Sequence, residues 1–214
     1  MQATYQKVSV GIYFKVVLTV VNNNTNFYSY IALQFFFEPE REHWVATAYI
    51  DGQVRLYDSK FTGSLSTCLT KQICQVYQNA GVDERLFVAV VAVQQQTGAK
   101  ECGVMAITNG YHAVCGDDLS KVSFIPEEMR GHLSTCMENK LLTPFPVEIT
   151  PGPDKGSRIE KTFKYINIEV SCECKRPDIY QNMIACDSCD RWMHMECAGL
   201  SSVPTGEWFC VNCI

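Results

Sequence analysis

Two runs of alternating apolar and polar residues, HWVATAYID and GQVRLYDS, meet at Asp51-Gly52. A period of two predicts half-buried strands, and Asp-Gly suits a two-residue hairpin turn because its central positions take positive φ. The period then changes: Leu65, Leu69, Ile73 and Val76 recur at helical spacing, which predicts a helix capped by Ser64 and running to about Gln78. LFVAVVAVQ, from Leu86 to Gln94, is a continuous valine-rich run, the pattern of a strand buried on both faces. GVMAITNGYHAVCG predicts a helix weakened by Gly110, and PEEMRGHLSTCMENKLL predicts another with Pro126 in its first turn. Together these elements form an α+β domain, a strand layer packed on helices.

The pattern breaks down between Thr143 and Lys161, where TPFPVEITPGPDKGSRIEK holds four prolines and two glycines. It reads as a linker with a boundary near Pro151, and FKYINIEV reads as a short strand leading into the last segment. The expected partition is residues 1–33 unassigned, 34–146 a larger domain, 147–167 a linker and 168–214 a small C-terminal domain. VSVGIYFKVVLTVV, near the start, is broken by Lys15 and is shorter than the roughly 20 residues a membrane-spanning helix needs. It also lacks the basic start and small-residue cleavage site of a signal peptide. Asn23-Asn24-Thr25 would be a glycosylation sequon only in a secreted chain.

With 214 residues, 47% of them apolar, the chain can build one ordinary core and something smaller beside it. A net charge of -5 and no dense basic run give no field that would collect nucleic acid. The cysteines change the picture more. Seven of the twelve fall between Cys172 and the C-terminus, and Cys68, Cys74, Cys102, Cys115 and Cys136 are scattered. Such clustering indicates metal binding rather than a disulfide framework.

The cluster reads as four pairs: Cys172 and Cys174, Cys186 and Cys189, His194 and Cys197, Cys210 and Cys213. Eight soft or borderline ligands suit two tetrahedral zinc ions, and about forty residues cannot otherwise bury enough surface to fold, so metal binding here supplies folding energy. The single histidine stands fifth of the eight. That order resembles the PHD (plant homeodomain) finger, whereas a RING finger carries its histidine fourth. The four residues between Cys189 and His194, and Trp208 two before the last pair, fit the same family. The resemblance implies a cross-brace, with Cys172, Cys174, His194 and Cys197 holding one zinc and Cys186, Cys189, Cys210 and Cys213 the other. It also implies a histone tail or other lysine-containing peptide as partner, with Trp192, Met183 and Tyr180 as walls of a cage for methylated lysine, and a nuclear location. A quaternary ammonium on an indole face gains about 2 kcal/mol when desolvated. Ser171 stands just before the first ligand, where strong trimethyl-lysine readers often carry an aromatic. Asp187 and Asp190 are candidates to meet basic residues of a tail.

In the larger domain His43, Asp58, Gln96 and Cys102 stand in chain order within HW, YDS, QQQ and TGAKECGVMAI. These are the parts of a thiol protease: a thiolate at Cys102 generated by His43, Asp58 fixing the imidazole tautomer, and an amide N–H of Gln96 for the oxyanion. A helix beginning at Cys102 would lower the thiol pKa. The phrases together resemble the ubiquitin-like-protein (SUMO) protease and adenoviral proteinase family, in particular its transposon-derived versions, over roughly Gln34 to Pro146, with Met129–Leu133 as a late landmark. That resemblance implies a papain-like, SUMO-protease-type domain, a ubiquitin-like protein substrate, and a Trp44 that narrows the channel for a Gly-Gly tail. Glu101 stands where Asp is usual, and Gln94 and Gln95 compete with Gln96 for the oxyanion role. The expectation is a chromatin-associated cysteine peptidase with a zinc finger; the alternative is a non-catalytic methyl-lysine reader with a degenerate protease fold.

Overall fold

The computed structural model describes residues 7–9, 14–21, 28–148, 164–178 and 182–214. The sequon at Asn23, the linker from 149 to 163 and Tyr180 lie outside them. In chain order the elements are β1 (Lys7–Ser9), β2 (Phe14–Val21), β3 (Tyr28–Glu38), β4 (His43–Ile50), β5 (Gln53–Tyr57), α1 (Thr67–Tyr77), β6 (Arg85–Val90), α2 (Cys102–Cys115), β7 (Ser123–Phe124), α3 (Pro126–Glu138), β8 (Val147–Glu148), β9 (Lys164–Glu169), β10 (Met183–Ala185) and β11 (Trp192–His194). The chain divides into two compact units, residues 1–64 with 89–165, and residues 65–88 with 166–214. This division cuts across the boundary expected near Pro151, because residues 65–88 group with the C-terminal segment.

In the first unit β1 to β5 form an antiparallel meander in sequence order. The β4–β5 hairpin closes at Ile50 opposite Gln53, with Asp51 at φ 52° and Gly52 at φ 76°, the positive values that made Asp-Gly a turn signal. Helix α2 packs across β3 and β4. Gly110, which weakens the helix on propensity, is what permits that packing: a Cβ there would stand 2.9 Å from Leu33 Cδ1 and 3.2 Å from Phe35 Cε1. The core between sheet and helices includes Leu33, Ala46, Tyr57, Met105, Phe124, Met129 and Phe145. Each large apolar side chain buried there contributes roughly 1.5–3 kcal/mol. His112, buried at the end of α2, accepts the Phe145 N–H through Nε2 at 3.2 Å and pairs with Asp117 through Nδ1 at 2.7 Å. Val147 and Glu148, expected to begin the linker, instead pair with Phe124 and Ser123.

In the second unit α1 starts two residues later than expected. Ser66, not Ser64, is the cap, its Oγ accepting the Leu69 N–H at 3.1 Å. The buried stripe is Leu69, Gln72, Ile73, Cys74 and Tyr77, and Leu65 and Val76 fall to its margins. Strand β6 ends at Val90 rather than Gln94, and Phe87 is 43% exposed, so the run is not buried on both faces along its length. It lies beside β9, the expected lead-in strand, and just beyond the two strands the Val170 N–H donates to Glu84 O at 2.9 Å. The C-terminal segment contains only the short antiparallel ribbon β10–β11 among its described residues. With so little regular structure, its order has to come from elsewhere.

Candidate functional sites

That order comes from the cysteines. Cys172, Cys174, His194 and Cys197 bring their ligand atoms within 4.8 Å of one another, and Cys186, Cys189, Cys210 and Cys213 do the same. A zinc ion with Zn–S near 2.3 Å and Zn–N near 2.0 Å sets tetrahedron edges of about 3.8 Å between sulfurs and 3.5 Å between sulfur and nitrogen. Cys189 Sγ and Cys210 Sγ are 3.8 Å apart, and Cys174 Sγ is 3.4 Å from His194 Nδ1. The donor sets therefore fit two zinc ions, interleaved as a cross-brace.

The groups behind the ligands are arranged for the same purpose. His194 Nε2 donates to Pro177 O at 3.0 Å, which turns Nδ1 to the metal. Arg176 donates from Nε to Cys174 Sγ at 3.3 Å and from Nη2 to Cys197 Sγ at 3.1 Å, and it also pairs with Glu196. Burial opposes ionisation of Cys174, but the hydrogen bonds from Arg176 outweigh it and hold the thiol down at about 6. In the second set the Cys210 N–H, at 3.3 Å from Cys186 Sγ, is the main reason Cys186 also sits at about 6. Each site thus has one thiol ready to ionise, as metal capture requires. Asp178 closes the first loop by accepting from Ser171 N at 2.9 Å and Ser171 Oγ at 2.6 Å. Sequence reasoning passed over Arg176, Pro177 and Asp178, although they lie within four residues of the first ligand pair.

Residues 172–213 match the family model described as PHD-finger. This segment is a PHD finger. The PHD finger is similar to parts of larger proteins: 45% identity over 42 residues with transcription initiation factor TFIID subunit 3 of Gallus gallus, 19% of this chain and 4% of that protein. Chromatin modification-related protein png1 of Schizosaccharomyces pombe is 46% identical over 83 residues, 37% of this chain and 26% of the relative. Inhibitor of growth protein 3 of Mus musculus is 34% identical over 68 residues, 30% of this chain and 16% of the relative. The chain therefore spans between 4% and 26% of the length of these relatives. No solved structure matches it.

Within the PHD finger, Met183 pairs with His194 and Ala185 with Trp192, so Met183 and Trp192 project from the same face of the ribbon as a diagonal cross-strand pair. Trp192 is 46% exposed, so much of its indole faces solvent. Met195 N donates to Asn182 O at 2.8 Å and Cys186 N to Arg191 O at 3.0 Å. Residues 182 and 186 thus turn their polar groups toward β11, and by alternation Met183 and Ala185 turn theirs away, leaving β10 an open edge. Asp187 is tied back into the finger: its carboxylate accepts the Trp208 N–H at 2.6 Å. Asp190 sits in the turn between the strands at φ 56°.

In the first unit His43 and Asp58 are brought together. His43 Nε2 lies 2.7 Å from Asp58 Oδ1, both side chains are almost fully buried, and Nδ1 is the nitrogen left over. Arg41, which the sequence reading missed, donates to Asp58 Oδ2 at 3.2 Å, to the buried Glu38 at 2.7 Å and to Lys60 O at 2.6 Å. Burial alone would raise the Asp58 pKa; the His43 hydrogen bond, the Lys60 N–H and the charges of His43 and Arg41 more than offset it, so it lies below the usual carboxylate value. Cys102 opens α2, and its Sγ is 4.0 Å from the carbonyl of Glu42, the residue before His43. Gln96 is committed locally, with Oε1 accepting from Ser59 Oγ at 2.8 Å and Nε2 donating to Gly98 O at 2.7 Å. Its rivals are also engaged: Gln94 pairs with both backbone groups of Phe124, and Gln95 donates to Asp58 O and Val93 O. Trp44 packs against Phe37, ring centroids 5.1 Å apart and planes tilted by 44°, and lines an apolar cavity of about 760 Å³ with Gly103 and Leu133. The likeness of residues 34–146 to a papain-like protease rests on the sequence phrases.

Proposed function

We propose that the protein reads lysine-bearing tails of the histone type through its PHD finger, in the nucleus, and that Trp192 and Met183 form the cage for a methylated lysine. What carries this reading is the exposed Trp192, set on one face with Met183 beside the open edge of β10. A peptide would add to that edge by main-chain hydrogen bonds, and the indole would take its cation. The relatives named for transcription initiation, chromatin modification and growth inhibition support the chromatin setting. Tyr180 is proposed as a third wall. The test is titration of the zinc-loaded protein with unmodified and trimethylated lysine peptides. Binding that prefers the trimethylated form and falls at least tenfold in Trp192→Ala supports the reading; equal binding by the Trp192→Ala variant overturns it.

A second reading is favoured by one observation, the buried His43–Asp58 pair with the Cys102 thiol at a helix start close by. In this reading the first unit is a cysteine peptidase for a ubiquitin-like protein. Cys102 would form the thioester, His43 would move the proton and Asp58 would hold the imidazole, with Gln96 turning from Gly98 to meet the oxyanion. An electrophilic ubiquitin-like probe should then give one adduct, lost in Cys102→Ala and in His43→Ala. A protein that holds two zincs yet gives no adduct leaves the reader function alone.

A further inference from the structure

The second unit contains a groove of about 710 Å³ between one face of α1 and the first zinc loop. Lys71, Gln75 and Gln78 line it from the helix, and Lys175, Arg176 and Asn182 from the PHD finger. Positions 71, 75 and 78 recur every three or four residues, so a single helix face supplies that wall. Three cations face the groove, and they are not equivalent. Arg176 spends its hydrogen bonds on two ligand sulfurs and Glu196. Lys71 and Lys175 are exposed, and neither has an ion-pair partner among the described residues. Two free ammonium groups and three side-chain amides therefore line one concave surface, and its one carboxylate, Glu196, is paired with Arg176.

Its position relative to the ribbon says what would enter it. Asn182, in the wall, is the residue immediately before β10, so a strand laid on the open edge of β10 would end beside a residue of the groove wall. We propose that the groove binds an anionic side chain, carboxylate or phosphate, of the same peptide whose lysine occupies the Trp192–Met183 face. This rests on the reader function proposed above and deepens it: the partner becomes a peptide carrying both a methylated lysine and a negative charge. Asn182 and Trp192 are about three strand positions apart across the ribbon, about 10 Å at 3.3 Å per residue. The charge therefore belongs two to four residues from the lysine, on the side that points to Asn182. Ammonium groups bind such an anion by charge-assisted hydrogen bonds, and the net charge of -5 disfavours a nucleic-acid backbone as the source.

The test uses the full zinc-loaded chain and a set of trimethyl-lysine peptides that carry phosphoserine, glutamate or serine at two, three or four positions before or after the lysine. The expected result is a gain of about tenfold for phosphoserine over serine on one side only, smaller for glutamate, and reduced by added salt. The gain should vanish in Lys71→Ala/Lys175→Ala while that variant still binds the serine peptide as the parent does. Equal gains on both sides, or a gain that survives the double substitution, overturn the inference and leave the reader function standing. Failure of every peptide to distinguish parent from Trp192→Ala removes the reader function and the inference with it. A random-sequence DNA duplex that binds in a Lys71- and Lys175-dependent way, with no phosphopeptide gain, assigns the groove to nucleic acid and also overturns it.

Discussion

His194 donates its Nε2 hydrogen to the carbonyl of Pro177 across 3.0 Å, and the imidazole is thereby fixed with Nδ1 toward Cys174. The backbone of the first zinc loop, rather than another side chain, sets the tautomer of the ligand. Loss of His194 removes both the metal bond and this tie. His194→Ala should lower the zinc content from two per chain to one or fewer and cost most of the order of 10 kcal/mol that a structural zinc supplies to such a module. Native mass spectrometry counts the ions directly. His194→Cys restores a fourth soft ligand and should recover the second zinc, without the hydrogen bond to Pro177.

Trp192 stands outside the metal framework, so its removal should separate binding from folding. Trp192→Ala is expected to keep two zincs and change the unfolding free energy by no more than about 0.5 kcal/mol, as exposed substitutions do. Thermal unfolding beside a peptide titration checks this: a large drop in stability would make the indole a core residue after all.

The Asp58 pKa is held below the ordinary carboxylate value, so the native state binds this proton less readily than the unfolded chain. The stability this contributes is complete above about pH 4, where the unfolded-state group is ionised, and is lost as the pH falls through the depressed native value. Asp58→Asn leaves Arg41 and His43 without their shared anion and should cost about 2 kcal/mol at pH 7. Because the parent alone loses this contribution in acid, the difference between the two proteins should shrink below about pH 4. Urea unfolding of both at pH 7 and pH 3 measures the two gaps.

Gly110 lets α2 approach β3. In Gly110→Ala the gain in helix propensity, about 1 kcal/mol, is set against a Cβ placed 2.9 Å from Leu33 Cδ1. Overpacking a close-packed core typically costs 1–3 kcal/mol, so the net change should be destabilising. Gly110→Ala combined with Leu33→Ala should be less destabilised than the sum of the two, since the second change empties the space the first one needs.

Much of this was legible in the chain. The spacing and type of the eight ligands specified the metal, because these are local properties of the sequence, and their order carried the resemblance that implied the cross-brace. Asp51-Gly52 and Pro126 carried their turn and helix start for the same reason. What was not legible depended on long-range packing. Ser64 and Ser66 are equivalent caps until one sees which helix face is buried. Gly110 weakens a helix until Leu33 is placed against it. Residues 65–88 read as part of the larger domain, and nothing in their pattern says that α1 groups with the PHD finger. The jobs of Gln94, Gln95 and Gln96 are set by Phe124, Asp58 and Ser59, up to 37 positions away in the chain.

The interleaving of the two ligand sets has a consequence for how the PHD finger can be edited. Cys186 and Cys189 lie between the two halves of the first site, and His194 and Cys197 between the two halves of the second. Each ion laces shut a loop that contains ligands of the other, so neither half of the segment is an autonomous piece. A cut after Trp208 would leave all four ligands of His194's set untouched, yet it would release the chain that crosses them. The segment has no seam at which it can be shortened, split or grafted in part.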